Sequence, residues 1–120
     1  MFKIIPDPTS RLILITLEGF WDAAVMTAFE AAERAAIAQI TQYPGPFDQL
    51  IDSRDYPVQA PAIITRHSAW AEKLAEMGLR RTAIVMGPSG LARMQANRIS
   101  THNHKSFASE AEARTWLQEP

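Results

Sequence analysis

The period of the apolar positions changes several times along the chain, and each change marks a boundary between elements. Phe2 to Ile5 is a short apolar run stopped by Pro6-Asp7-Pro8, and Leu12 to Leu17, LILITL, is a β-branched run stopped by Glu18-Gly19. Two such runs across a proline turn predict a hairpin. From Trp21 to Thr41 the spacing becomes three and four, through Val25, Phe29, Ala32, Ala36 and Ile40, which predicts a helix with Asp22 as its N-cap. The breaker Tyr43-Pro44-Gly45-Pro46 precedes a third strand, Phe47 to Ile51, a polar loop, and a second helix from Pro61 to Met77 with Gly78 at its exit. Thr82 to Met86, TAIVM, has no charged interruption and predicts a strand covered on both faces. Ser89 to Ser100 then reads as a helix, His104 to Phe107 as a short strand, and Ser109 to Leu117 as a helix opened by a Ser109/Glu112 capping box.

This order, ββαβαβαβα, predicts one α/β domain over residues 1–120, with a mixed, mostly parallel sheet covered by helices. In such sheets the loops after the strands collect at one edge, where ligands usually bind. Here they are Gly19 to Asp22, Asp52 to Ala60 and Gly87 to Gly90.

Composition narrows the function classes. A chain of 120 residues, 47% apolar, can bury one core, and 12 Lys and Arg against 13 Asp and Glu leave a net charge of −1. No electrostatic surplus recommends nucleic acid as a partner. Cysteine is absent, which removes thiol catalysis and zinc-thiolate sites and fits a reducing compartment. The opening MFKIIPDPTSR builds no apolar leader, and no run approaches the length of a membrane span, so the expectation is a cytoplasmic protein without a transmembrane segment.

Candidate chemistry sits at the predicted loop edge. The segment Phe47 to Tyr56, FDQLIDSRDY, passes from an apolar strand into Asp52, Ser53, Arg54 and Asp55. Their ordinary role is an Asx or ST turn at Asp52 and Ser53 with Arg54 and Asp55 solvated, so that Ser53→Ala should change stability by less than about 0.5 kcal/mol. The string GPSG, Gly87 to Gly90, leaves backbone N–H groups that can hold an anion, with Ser89 as a cap and Arg93 one turn later as a counter-charge. Neither a G-x-x-x-x-G-K-[ST] loop nor a G-x-G-x-x-G turn is present to make that a nucleotide site. His102 and His104 share a strand face, and His67 stands in the second helix, but a metal needs further ligands that no pattern supplies. Ser53, His67 and Asp55 are the residue types of a hydrolytic triad without its G-x-S-x-G turn. No catalytic residue, metal site or cofactor is therefore assigned. Of the aromatic residues Phe20, Trp21, Phe29, Tyr43, Tyr56 and Trp70, most belong to the core, while Trp21 and Tyr56 lie at the loop edge with Trp70 facing them.

Four strings, LEGFWDAAVMTAF, LIDSRDY, LRRTAIVM and FASEAEARTWL, resemble in order and spacing the SpoIIAA-like branch of the STAS superfamily, the anti-sigma-factor antagonists. That fold is also compared with the lipid-binding CRAL-TRIO domain. The resemblance implies a non-catalytic regulatory module acting on a protein partner, and a switch by phosphorylation of a hydroxyl residue in a D-S-[ST]-G motif after strand three. Asp52 and Ser53 match the first two positions, whereas Arg54 and Asp55 replace the others, leaving Ser53 as the candidate phosphorylation site. Two function readings follow. The first is an interaction module that binds a protein partner or its own copy as a homodimer. The second is a binding domain for a small lipid, apolar acid or nucleotide-like anion at the three loops, which an apolar cavity beneath Trp21 and Tyr56 would favour.

Overall fold

The computed structural model describes residues 1–89, 94–95 and 103–120. Phe2–Asp7 (β1) and Leu12–Glu18 (β2) form the expected hairpin, each strand running slightly past its apolar core, with Arg11 in the left-handed region at φ 51° to close the turn. Next come α1 (Ala23–Thr41), β3 (Phe47–Asp55), α2 (Pro61–Glu76), β4 (Leu79–Val85), β5 (His104–Phe107) and α3 (Glu110–Leu117). The sheet order is β1-β2-β3-β4-β5, antiparallel at the first pair and parallel at the rest. The expected mixed, mostly parallel sheet is observed, and the described elements follow one another in the expected order. The helix expected at Ser89 to Ser100 falls largely outside the described residues, although Met94 and Gln95 within it have helical backbone.

Local chemistry sets the helix ends. Asp22 Oδ1 accepts from the Val25 amide at 2.9 Å, and Ser109 Oγ accepts from the Glu112 amide at 3.3 Å, so both expected caps form. Pro61 opens α2, where a missing N–H costs nothing, and Gly78, at φ 105°, turns the chain out of it into β4. At the other end of α1 the Arg11 guanidinium donates to the carbonyls of Pro46 and Gly45, both at 2.6 Å, holding the Tyr43 to Pro46 turn against the hairpin.

Strand alternation decides the layers. Ile13, Ile15 and Leu17 of β2 and Phe47 of β3 pack with Met26, Phe29, Ile37, Ile40, Ile63, Trp70 and Leu74 of α1 and α2. Leu12, Leu50, Ala83 and Val85, one position out of phase, pack with Ala113 and Leu117 of α3 on the opposite face. One strand boundary departs from the expectation. β3 does not end at Ile51 but continues to Asp55, because Asp52 still pairs with Val85 of β4, and Glu18 of β2 with Asp55.

Candidate functional site

That extension changes what Asp52 and Ser53 can do. Adjacent strand residues face opposite sides of a sheet, so the two do not act together. Ser53 is buried, and its hydroxyl donates to the Val85 carbonyl at 3.0 Å. The expected ST turn at Ser53 is thus replaced by a buried strand contact. Asp52 faces the other side, beside Lys3, Thr16, Glu110 and Arg114. Its carboxylate accepts from Arg54, from Nε at 3.0 Å, Nη2 at 2.8 Å and the backbone amide at 3.1 Å. The side-chain hydrogen bond from Arg54 holds the Asp52 carboxyl below its ordinary range. Arg54 and Asp55 are exposed, as expected.

At the loop edge, Trp21 is not a surface residue. It is 1% exposed; its indole Nε1 donates to the Glu18 carbonyl at 2.9 Å, and its ring packs on Phe29 at 5.0 Å and Tyr56 at 5.1 Å. Phe20 and Tyr43, by contrast, are exposed rather than core. Gln59, which no sequence pattern singles out, ties the edge together. Its Oε1 accepts from the Trp21 amide at 2.8 Å, its Nε2 donates to the carbonyls of Gly19 and Pro57 at 3.0 and 2.8 Å, and its backbone exchanges hydrogen bonds with the Gln95 side chain. Gln59 thereby joins the loops after β2 and β3. Gly87 packs against the backbone of Arg54, where an added Cβ would meet its carbonyl oxygen at 3.4 Å. Ser89 is exposed, while Gly90, Arg93 and His102 lie outside the described residues.

Beneath this edge, between the sheet and the α1/α2 layer, lies a mostly apolar cavity of about 120 Å³. Leu17, Phe29, Ile51, Ile64, Leu74 and Ile84 supply much of its wall. Polar side chains line it from five elements: Glu33 of α1, His67 of α2, Gln49 and Ser53 of β3, Thr82 of β4 and His104 of β5, with Tyr56 and Gln95 at the loop edge. The indole Nε1 of Trp70 donates to Glu33 Oε1 at 2.8 Å, whereas Glu33 Oε2 has no partner. Gln49 donates from Nε2 to Thr82 Oγ1 at 3.0 Å, and its Oε1 is likewise unpartnered. The Tyr56 hydroxyl lies 2.9 Å from His67 Nε2 in a hydrogen bond whose direction depends on the tautomer.

Burial governs the charges. Desolvation pushes the Glu33 carboxyl up to about 7, the Trp70 hydrogen bond opposing it weakly, and pushes His67 down to about 4, with Arg66 adding to that effect. It also raises the Tyr56 phenol. Near neutral pH His67 is uncharged and Glu33 is poised to gain or lose its proton. Neither Glu33 nor Gln49 was picked out as a site residue from sequence, yet each leaves a trace there. Glu33 stands on the apolar stripe of α1 between Phe29 and Ala36, and Gln49 alternates with Phe47 and Ile51 on one strand face. Ser53 and His67, the suspected triad members, are spent on Val85 and Tyr56 instead.

The arrangement defines an α/β domain of SpoIIAA-like fold, and comparison with solved structures shows the same. An uncharacterized protein of the DUF3478 family with a SpoIIAA-like fold, from Shewanella loihica PV-4, superposes with a TM-score of 0.71 at 18% identity, over 98% of this chain and 92% of its own. An anti-sigma factor antagonist from Mycobacterium paratuberculosis superposes with a TM-score of 0.65 at 15% identity, over 99% of this chain and 96% of its own. No family model and no curated protein matches the sequence. Among the described residues no helix is long and apolar enough to cross a membrane.

Proposed function

We propose that the protein is a non-catalytic regulatory module of the SpoIIAA-like type that binds a small, largely apolar molecule in the cavity between the sheet and α1/α2. The observation that carries this reading is the cavity itself: about 120 Å³, walled by aliphatic and aromatic side chains. An apolar cavity of this order holds a ligand of benzene size, whereas well-packed interiors leave few voids larger than a water molecule. The loop after β3, held by Gln59, borders the cavity at Tyr56 and Pro57, so the loop edge is the place where occupancy would be felt by a protein partner, including a second copy of the chain. A switch at Ser53 is the weaker reading, since a buried hydroxyl donated to a carbonyl offers a kinase no accessible nucleophile.

The test is titration with methylcyclohexane, followed by amide chemical shifts. Residues Phe29, Leu74 and Ile84 should move, while Leu50 and Ala113 across the sheet should not. Ala71→Leu, which fills the cavity from α2, should abolish the response. Absence of any shift at the cavity residues would sink the proposal.

A further inference from the structure

Two acceptors in the cavity wall lack partners, and both belong to side chains well over nine-tenths buried: Glu33, 1% exposed, and Gln49, 5% exposed. Leaving such atoms unsatisfied is costly, and native interiors rarely do so without a ligand, ion or water to meet them. Among the described residues, no Lys or Arg is paired with Glu33. Trp70 Nε1 engages only Oε1, and the cavity's other described ionisable groups are His67, Tyr56 and His104. Arg34 stacks over the Trp70 ring, 5.0 Å from its centroid, and Arg66 of α2 is paired with Glu30 of α1 at 2.8 Å. Among the described residues no Lys or Arg lines the cavity.

We infer that the ligand of this cavity is a small apolar primary amine, whose ammonium group donates to Glu33 Oε2 and Gln49 Oε1 while its hydrocarbon body fills the aliphatic wall. This rests on the ligand-binding reading above and names the chemical class. An ammonium carries three donors and one positive charge, which suits two open acceptors and a carboxylate that no described Lys or Arg pairs with. An apolar acid, one of the ligands expected from sequence, would place a second negative group beside Glu33 and is disfavoured for that reason. Volume limits the body to one six-membered ring or a chain of similar size. Since the pair requires Glu33 ionised, amine affinity falls as pH drops below about 7.

Three probes that share one cyclohexyl ring separate the outcomes: cyclohexylamine, methylcyclohexane and the slightly larger cyclohexanecarboxylate, each titrated into the full chain by calorimetry and amide shifts at about pH 7.5 and again about two units lower. The inference expects cyclohexylamine to bind at least about tenfold more tightly than methylcyclohexane, with the carboxylate weakest, and the amine's advantage to shrink at the lower pH. Glu33→Gln, which keeps the size and an acceptor for Trp70, should erase that advantage while hydrocarbon binding persists. Methylcyclohexane binding as tightly as the amine, or the carboxylate binding best, overturns the amine inference and leaves the cavity reading standing. Binding by none of the three overturns both. Should Glu33→Gln fail to fold, the pH dependence of amine binding to the natural sequence decides alone: an affinity unchanged across that range overturns the inference.

Discussion

Across the sheet from the cavity, Leu12, Leu50, Ala83 and Val85 meet Ala113 and Leu117 of α3 in a small cluster of wholly apolar residues, while the larger α1/α2 side buries Glu33, Gln49, Ser53, His67 and Thr82 among its hydrocarbons. Both faces are built by the same alternating strands. What differs is the state of the polar groups: the space on the α3 side, beside Leu50, is bordered by Asp52 and Glu110, which are paired with Arg54 and Arg114, whereas the space on the α1/α2 side meets buried polar atoms without partners. At the loop edge, by contrast, the polar residues Asp52 and Arg54 satisfy each other.

The comparison breaks first on the α3 face. Leu50→Ala, removing a buried side chain from the α3 cluster, should cost about 2–5 kcal/mol in urea denaturation through its lost contacts with that cluster. A cost under about 1 kcal/mol would show that this face is as loosely packed as the other.

On the cavity face the expected effect is pH-dependent and of opposite sign. Glu33 has its folded pKa, about 7, above the ordinary 4.5, so its contribution is fully present below pH 4.5 and is lost as pH rises through 7. His67, lowered from 6.5 to about 4, contributes stability that is present above pH 6.5 and lost as pH falls through 4. Between those limits the two slopes oppose, giving a flat stability profile for the natural sequence. Glu33→Gln removes one of them. The variant should match the natural protein near pH 4.5 and exceed it by up to about 3 kcal/mol at pH 8, a gain that thermal or urea unfolding across the range would register. A variant less stable at every pH would show that Glu33 is instead a structural acceptor for Trp70.

The smallest effect lies at the boundary between the two readings of strand three. Ser53→Ala leaves the Val85 carbonyl without its hydroxyl donor and should cost about 1 kcal/mol by urea denaturation, more than a solvated loop residue would. A change near zero would return Ser53 to the loop expected from the sequence.

Hydrophobic period and punctuation determined most of this architecture in advance. The hairpin, the two caps at Asp22 and Ser109, Pro61 and Gly78 around α2, and the strand from His104 to Phe107 all rest on local backbone chemistry that a few neighbouring residues carry by themselves. Local signals misplaced the end of β3, because Asp52 to Asp55 read as turn formers and only pairing with β2 and β4 keeps them extended. The same pairing sent Ser53 and Asp52 to opposite faces and so dissolved the site that their adjacency suggested. The cavity was beyond sequence reasoning for a related reason. Glu33, Gln49, His67 and Tyr56 come from α1, β3, α2 and the loop after β3, and their meeting depends on how far α1 and α2 stand from the sheet, a distance set by the packing of residues such as Trp21, Phe29 and Trp70 rather than by any periodicity. Sequence alone therefore determined which elements form and in what order; the tertiary structure decided which side chains share one buried space, since that is settled by long-range packing and not by local preference.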